Sequence, residues 1–191
     1  MYFQTLDDKA ECVGVYKNGN LYFEDFPSDL KRTWKYTGSI DDDSVEYAWL
    51  IAGGKTLQEV VPPDLISELE KIERRMNAFY KSFKIAKINF NDHCIYDLIP
   101  NDSLTQFCEI KNKITKHVFD NFDKPLCYDH LNDVQKLLHK IKYQKLNLSA
   151  ENCRHLFAST PNRRKIQELI KNYNYIDYNL FGTVTGRLTT N

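Results

Sequence analysis

Apolar side chains recur every three or four positions through the middle of this chain, and that spacing predicts its helices. Leu65, Ile66, Leu69, Ile72, Met76, Phe79 and Phe83 would share one face of a helix running from Asp64 to about Lys84, with charges on the other face. A second helix is predicted over residues 103–122, carried by Leu104, Phe107, Ile110, Ile114, Val118 and Phe119, with Ser103 as its N-cap and Asp123-Lys124-Pro125 as its stop. A third, over residues 129–143, places Leu131, Val134, Leu137, Leu138 and Ile141 inward, and Lys136, His139, Lys140 and Lys142 outward. Two shorter helices follow: residues 149–158 behind a Ser149 cap, and one opened by Thr160-Pro161, where proline suits the first turn.

Before Asp64 the pattern is that of strands. Residues 2–6, 12–16 and 21–25 alternate or cluster apolar side chains, and Asn18-Gly19 supplies a type I′ hairpin turn between the second and third. An antiparallel sheet is expected to open the chain. Residues 34–37 and 45–51 are further strand candidates around the acidic turn Asp41-Asp42-Asp43. Gly53-Gly54 breaks the pattern, and Pro62-Pro63 marks an expected boundary. The class is therefore α+β: a small antiparallel β module over 1–62, then a mainly helical segment over 63–172. No internal repeat or low-complexity tract interrupts it.

With 191 residues, 42% of them hydrophobic, the chain can bury a core and suits one or two domains. Its longest apolar stretches, such as Ala48 to Ala52, fall far short of the roughly 20 residues that a membrane span requires. Met1-Tyr2-Phe3-Gln4 lacks the basic start and apolar run of a secretory signal, so no membrane partner is expected and the cytoplasm is the expected compartment, that of the host if the source is viral. Cys12, Cys94, Cys108, Cys127 and Cys153 are odd in number and widely spaced, which predicts reduced thiols rather than a disulfide framework or zinc site.

Charge is balanced overall and unevenly placed. Residues 1–62 hold 6 Lys and Arg against 11 Asp and Glu, whereas residues 134–191 hold 10 against 3, a net charge of +7. A one-sided excess of this kind is the electrostatic footprint of a nucleic-acid face. Lys136, Lys140, Arg163, Arg164 and Lys165 are its candidate phosphate contacts, although solvated helix faces commonly carry such runs too. The three cations after Pro161 oppose the dipole of the helix they open, a small cost that an external anion such as phosphate would offset.

The same basic region ends in Phe181-Gly182-Thr183-Val184-Thr185-Gly186-Arg187-Leu188-Thr189-Thr190-Asn191. Gly186 permits positive φ and close approach of the backbone to a ligand. Arg187 offers a rigid fork of donors to phosphate oxygens, and the threonine hydroxyls add neutral hydrogen bonds that position a duplex without reading its sequence. Thr185, Gly186, Arg187, Thr189, Thr190 and Asn191 are thus the candidate DNA contacts, Arg187 foremost. A β-hairpin whose threonines serve strand propensity accounts for the same residues without a ligand.

Thr183-x-Thr185-Gly186-Arg187-Leu188-Thr189-Thr190 resembles the T-x-T-G-R-L-S-S signature at the entry to the palm of family A DNA polymerases, the DNA polymerase I type and its phage relatives. Thr189 and Thr190 stand where that family has serines, which keeps both hydroxyls. About ten residues carry the resemblance, with Tyr173, Tyr175, Tyr178 and Phe181 leading into them. It implies that residues 63–172 are thumb-like, that 173–191 form the entry to a palm with its first strands, and that the parent enzyme extends a primer on a DNA template from deoxynucleoside triphosphates. The stretch before the motif is shorter than the exonuclease plus thumb of better-known members, which suggests a compact, phage-like enzyme.

By the same resemblance, the two aspartates that bind Mg2+ belong to motifs that follow this one. No catalytic residue, metal ligand or cofactor is therefore expected within the chain, which alone would bind primer–template DNA weakly and not polymerise. A palm and fingers portion, on the same or another chain, is the expected partner. At the amino end, Phe3-Gln4-Thr5-Leu6 falls where a 3′ to 5′ exonuclease domain would carry F-D-x-E, whose carboxylates bind metal ions that activate water. Gln4 and Leu6 cannot supply those ligands, so residues 1–62 are either a degenerate exonuclease start or an unrelated module.

Two other functions fit parts of the sequence. A stand-alone DNA-binding or replication accessory protein needs only the basic tail. A metal-dependent 3′ to 5′ exonuclease would draw ligands from Asp7, Asp8, Asp97 and Asp133. His93, His117, His130, His139 and His155 show neither H-E-x-x-H nor another close ligand spacing, and Cys153 and His155 stand two apart, off a common helix face.

Overall fold

A computed structural model of the chain describes residues 4–5, 14–25, 27, 29–35, 45–90, 92–142, 149–172, 176, 178–185 and 187–190. The fold is α+β, and the chain divides into two units, residues 1–132 and 133–191.

The first unit opens with an antiparallel sheet in the order β1 (Gln4–Thr5), β2 (Val15–Lys17), β3 (Asn20–Tyr22). Its hairpin follows from Asn18 and Gly19, both at positive φ (50° and 84°), which a type I′ turn requires at its two central positions. The register pairs Val15 with Tyr22 and Tyr16 with Leu21. Phe23 to Asp25 bend away instead of prolonging the strand.

β4 (Arg32–Thr33) and β5 (Glu46–Tyr47) pair in parallel, Arg32 opposite Glu46, so the antiparallel expectation holds for β1 to β3 alone. The expected turn at Asp41-Asp42-Asp43 lies outside the described residues. Ala48 to Ile51, expected as strand, is the short helix α1. Ala48-Trp49-Leu50-Ile51-Ala52 is an unbroken apolar run, which fits a buried strand and a buried helical turn equally well, so its periodicity could not choose between them. Ala48, Leu50 and Ala52 are buried as a helical turn, which Gly53 and Gly54 end at φ 65° and 82°. The N–H of Gly54 closes that turn on the carbonyl of Trp49 at 2.8 Å.

α2 (Leu57–Val60) begins at Thr56, whose N–H donates to the Glu59 carboxylate at 2.6 Å. A 3₁₀ turn, Pro63–Leu65, leads into α3 (Ile66–Ile85), which buries Leu69 and Ile72 while Ile66, expected inside, is exposed. α4 (Asn101–Asn121) buries Leu104, Cys108, Ile110, Ile114, Thr115 and Val118. Its N-cap is Pro100, not Ser103; the Pro100 carbonyl accepts the N–H groups of Ser103 and Leu104, both at 3.0 Å.

One core joins Trp34, Ala48, Ala52 and Val60 to Leu69, Ile72, Ile110, Ile114 and Val118. The boundary expected at Pro62-Pro63 thus falls inside a single packed unit. A second cluster sets Tyr16 of β2 against Ile99, Leu104 and Cys108. Burial pushes the Cys108 thiol up to about 12, with Lys111 opposing the shift and Glu109 adding to it, which makes it a packing group and no nucleophile.

α5 (Tyr128–Lys142) spans the division between the units. In the second unit, Leu138 is buried while Leu137, expected inside as well, is 55% exposed. The region after Ser149 is turns and a 3₁₀ segment, Arg154–Leu156, in place of the short helix expected there. α6 (Thr160–Asn172) follows with Pro161 in its first turn. β6 (Tyr178–Asn179) then pairs antiparallel with β7 (Thr189–Thr190). No helix among the described residues is long and apolar enough to cross a membrane.

Candidate nucleic-acid interface

The strand pair at the end of the second unit holds Tyr178 opposite Thr190 and Asn179 opposite Thr189. The T-x-T-G-R-L-T-T stretch occupies the connection from Thr183 to Leu188 and then β7 itself, Thr189–Thr190. Asn179 starts the turn by accepting the Phe181 N–H on its side-chain oxygen at 3.1 Å, a local bond that asparagine makes readily. Gly182 then passes directly beneath Thr189. A Cβ at Gly182 would lie 1.6 Å from Thr189 Oγ1 and 2.6 Å from Thr189 Cβ, so only glycine admits this approach.

The next contacts close the loop on Arg187. Thr183 Oγ1 accepts the Arg187 N–H at 2.9 Å and donates to the Arg187 carbonyl at 3.0 Å. Thr185 Oγ1 lies 3.4 Å from Thr183 Oγ1. A hydroxyl has one proton, and that of Thr183 is committed to the Arg187 carbonyl, so the proton in the threonine pair comes from Thr185. Both backbone groups of Arg187 are therefore satisfied inside the loop. The guanidinium is not: Arg187 is exposed, and its side chain makes no hydrogen bond or ion pair among the described residues.

The candidate contacts thus separate into kinds. Arg187 presents a charged fork to solvent. Thr185 can give its proton to a phosphate oxygen only by leaving Thr183, since phosphate accepts and does not donate. Thr189 is half-buried over Gly182, while Thr190 is exposed; adjacent strand residues face opposite sides, so one flat ligand cannot meet both. Gly186 and Asn191 lie outside the described residues, as do Tyr173 and Tyr175.

The basic helices are arranged less compactly. Lys136, half-buried, and Lys140, exposed, stand four apart on α5 and so share a face. Arg163, Arg164 and Lys165 are all exposed in the first turns of α6 and make no ion pair among the described residues. Successive helix positions differ by roughly 100°, so these three fan around the axis and cannot all reach one surface. Residues 133–191 hold 10 Lys and Arg against 4 Asp and Glu, a net charge of +6, of which Arg154 is paired with Glu151 at 3.2 Å.

Thr183 was absent from the contacts expected of the sequence, although it is the first residue of the matched stretch. The available signal was its spacing: a threonine hydroxyl four residues from Arg187 is within reach of that backbone in a closed turn. Of the carboxylates an exonuclease would need, Asp97 is exposed on a 3₁₀ turn of the first unit (Tyr96–Leu98) and Asp133 is exposed on α5 in the second; Asp7 and Asp8 lie outside the described residues. Among the described residues no three His, Cys, Asp or Glu are grouped to hold a metal ion. No family model, curated protein or solved structure matches the chain.

Proposed function

We propose that the second unit grips the sugar-phosphate backbone of primer–template DNA, as a portion of a family A DNA polymerase, with Arg187 as its principal contact. The observation that carries this reading is the combination at one residue: a guanidinium exposed and free of side-chain partners among the described residues, on a backbone satisfied from within its own loop. A guanidinium so held matches phosphate oxygens two at a time, with little ordering left to do on binding. The net charge of +6 over residues 133–191 supplies the long-range attraction. In the complete enzyme, by the family resemblance, Mg2+-binding aspartates of a palm would perform nucleotide transfer, and the loop would hold the duplex in register. The uneven charge alone favours a second reading, a DNA-binding accessory protein with no polymerase partner.

Binding of the chain to a labelled primer–template duplex, followed across a salt series, tests the proposal. Arg187→Ala is expected to bind roughly fivefold more weakly at low salt, with a salt dependence shallower by about one ion released. Absence of binding at low salt, or an unchanged affinity in the variant, would sink it. Restoration of template-directed extension when a palm and fingers portion is added separates the polymerase reading from the accessory one.

A further inference from the structure

We infer that Thr183 is a positioning residue for Arg187, holding the loop in the form that presents the guanidinium to DNA. The inference rests on the DNA-binding role of Arg187 proposed above and adds the device that sets it up.

One hydroxyl satisfies three requirements at once. Thr183 Oγ1 takes the Arg187 N–H, gives its own proton to the Arg187 carbonyl, and stands within 3.4 Å of Thr185 Oγ1. A hydroxyl has one donor and two acceptor positions, so this set uses its capacity in full. The two bonds to Arg187 act on the same residue from both sides of its Cα, which fixes the direction in which its side chain leaves the loop. Gly182 adds an independent constraint on the preceding residue: its contact with Thr189 leaves no room for a Cβ, so the residue entering Thr183 is pinned against β7. With its main-chain groups occupied, the arginine meets an anion through its side chain alone. Pre-ordering of this kind raises affinity by reducing the conformational freedom lost on binding.

The experiment compares Thr183→Val, which keeps shape and removes the hydroxyl, with Thr183→Ser, which keeps the hydroxyl, in wild-type and Arg187→Ala backgrounds. Two quantities are measured: amide hydrogen exchange at Arg187 in the free protein, and affinity for the primer–template duplex at low salt. Thr183→Val is expected to speed exchange of the Arg187 amide about fivefold and to weaken binding about threefold; Thr183→Ser restores both, and Thr183→Val costs nothing further once Arg187 is alanine. An unchanged Arg187 amide in Thr183→Val shows that the hydroxyl does not hold the loop, and overturns the inference whatever the DNA result. Faster exchange with unchanged affinity, while Arg187→Ala still weakens binding, overturns the positioning role and leaves the proposed function standing. Unchanged affinity in Arg187→Ala removes the function itself, and the positioning role with it.

Discussion

The phenol oxygen of Tyr128 accepts the backbone N–H of Tyr47 at 2.8 Å inside the first unit, joining the start of α5 to the end of β5 across 81 residues of sequence. Tyr47 is fully buried and Tyr128 nearly so, so this N–H has no route to water. Tyr128→Phe keeps the ring and the Lys124 ammonium 4.3 Å from its centre, and deletes only the acceptor. An orphaned buried donor costs about 1–3 kcal/mol. Urea unfolding is expected to show a loss in that range with an unchanged slope; a loss below about 0.5 kcal/mol would mean that the bond is dispensable.

Alkaline pH should act on the same unit through two tyrosines. Burial raises the Tyr128 phenol to about 12, against the Tyr47 N–H that favours its ionised form and with Glu46 and Asp129 adding to the rise. Tyr16 is likewise raised to about 12, first by burial and then by its 2.8 Å hydrogen bond to Glu109, whose charge adds to the effect. Both groups hold their protons more tightly folded than unfolded, so the stability they confer is complete below about pH 10 and is lost as pH climbs toward 12. Unfolding midpoints measured from pH 8 to 12 should therefore fall above pH 10, and Tyr128→Phe should fall less steeply. An equal slope in the variant would show that Tyr128 titrates as an unperturbed phenol.

Gly182→Ala tests the hairpin without touching a charge. Rotation of Thr189 could move its Oγ1 away from the new methyl, but its Cβ, at 2.6 Å, belongs to the strand and cannot move alone. The backbone must shift, at a cost on the order of 1–3 kcal/mol. Cross-strand NOEs between residues 179 and 189 are expected to weaken or vanish in Gly182→Ala and to return in part when Thr189 is also made glycine. Their persistence in the single variant would show that the strands tolerate a side chain at 182.

These contacts mark where the sequence was legible and where it was not. α3, α4 and α5 were readable because Leu69, Ile72, Leu104, Ile110, Ile114 and Leu138 bury a face at helical spacing, and Asn18-Gly19 announced its turn by the positive φ it tolerates. Ser103 misled because the helix starts directly after Pro100, whose main-chain carbonyl accepts the first N–H groups with no capping side chain to announce it. The parallel pairing of Arg32 with Glu46 depends on a partner chosen in three dimensions, to which no local pattern points. In the candidate interface, the exposed Arg187 could be anticipated from its charge and turn. The Thr183 bonds and the seat of Thr189 over Gly182 could not, since each depends on how the loop closes.

The two units should also differ in how readily they open. α4 buries six residues, four of them aliphatic, against the clusters that contain Trp34, Leu69, Ile72 and Tyr16. On α6, Ile166 and Ile170 are only half-buried and Leu169 is 47% exposed. Among the described residues of the second unit, Gln135 and Leu138 alone are buried. Helices draw most of their stability from such packing and little from propensity, and local opening begins where buried apolar contacts are fewest. In native-state hydrogen exchange, the amides of α6 are therefore expected to exchange through openings several kcal/mol less costly than those of α4. Added primer–template duplex should narrow the gap if the second unit is the part that binds, because a ligand protects only the state it occupies. Equal protection of α4 and α6 in the free chain would show that the second unit is held by more than its visible core.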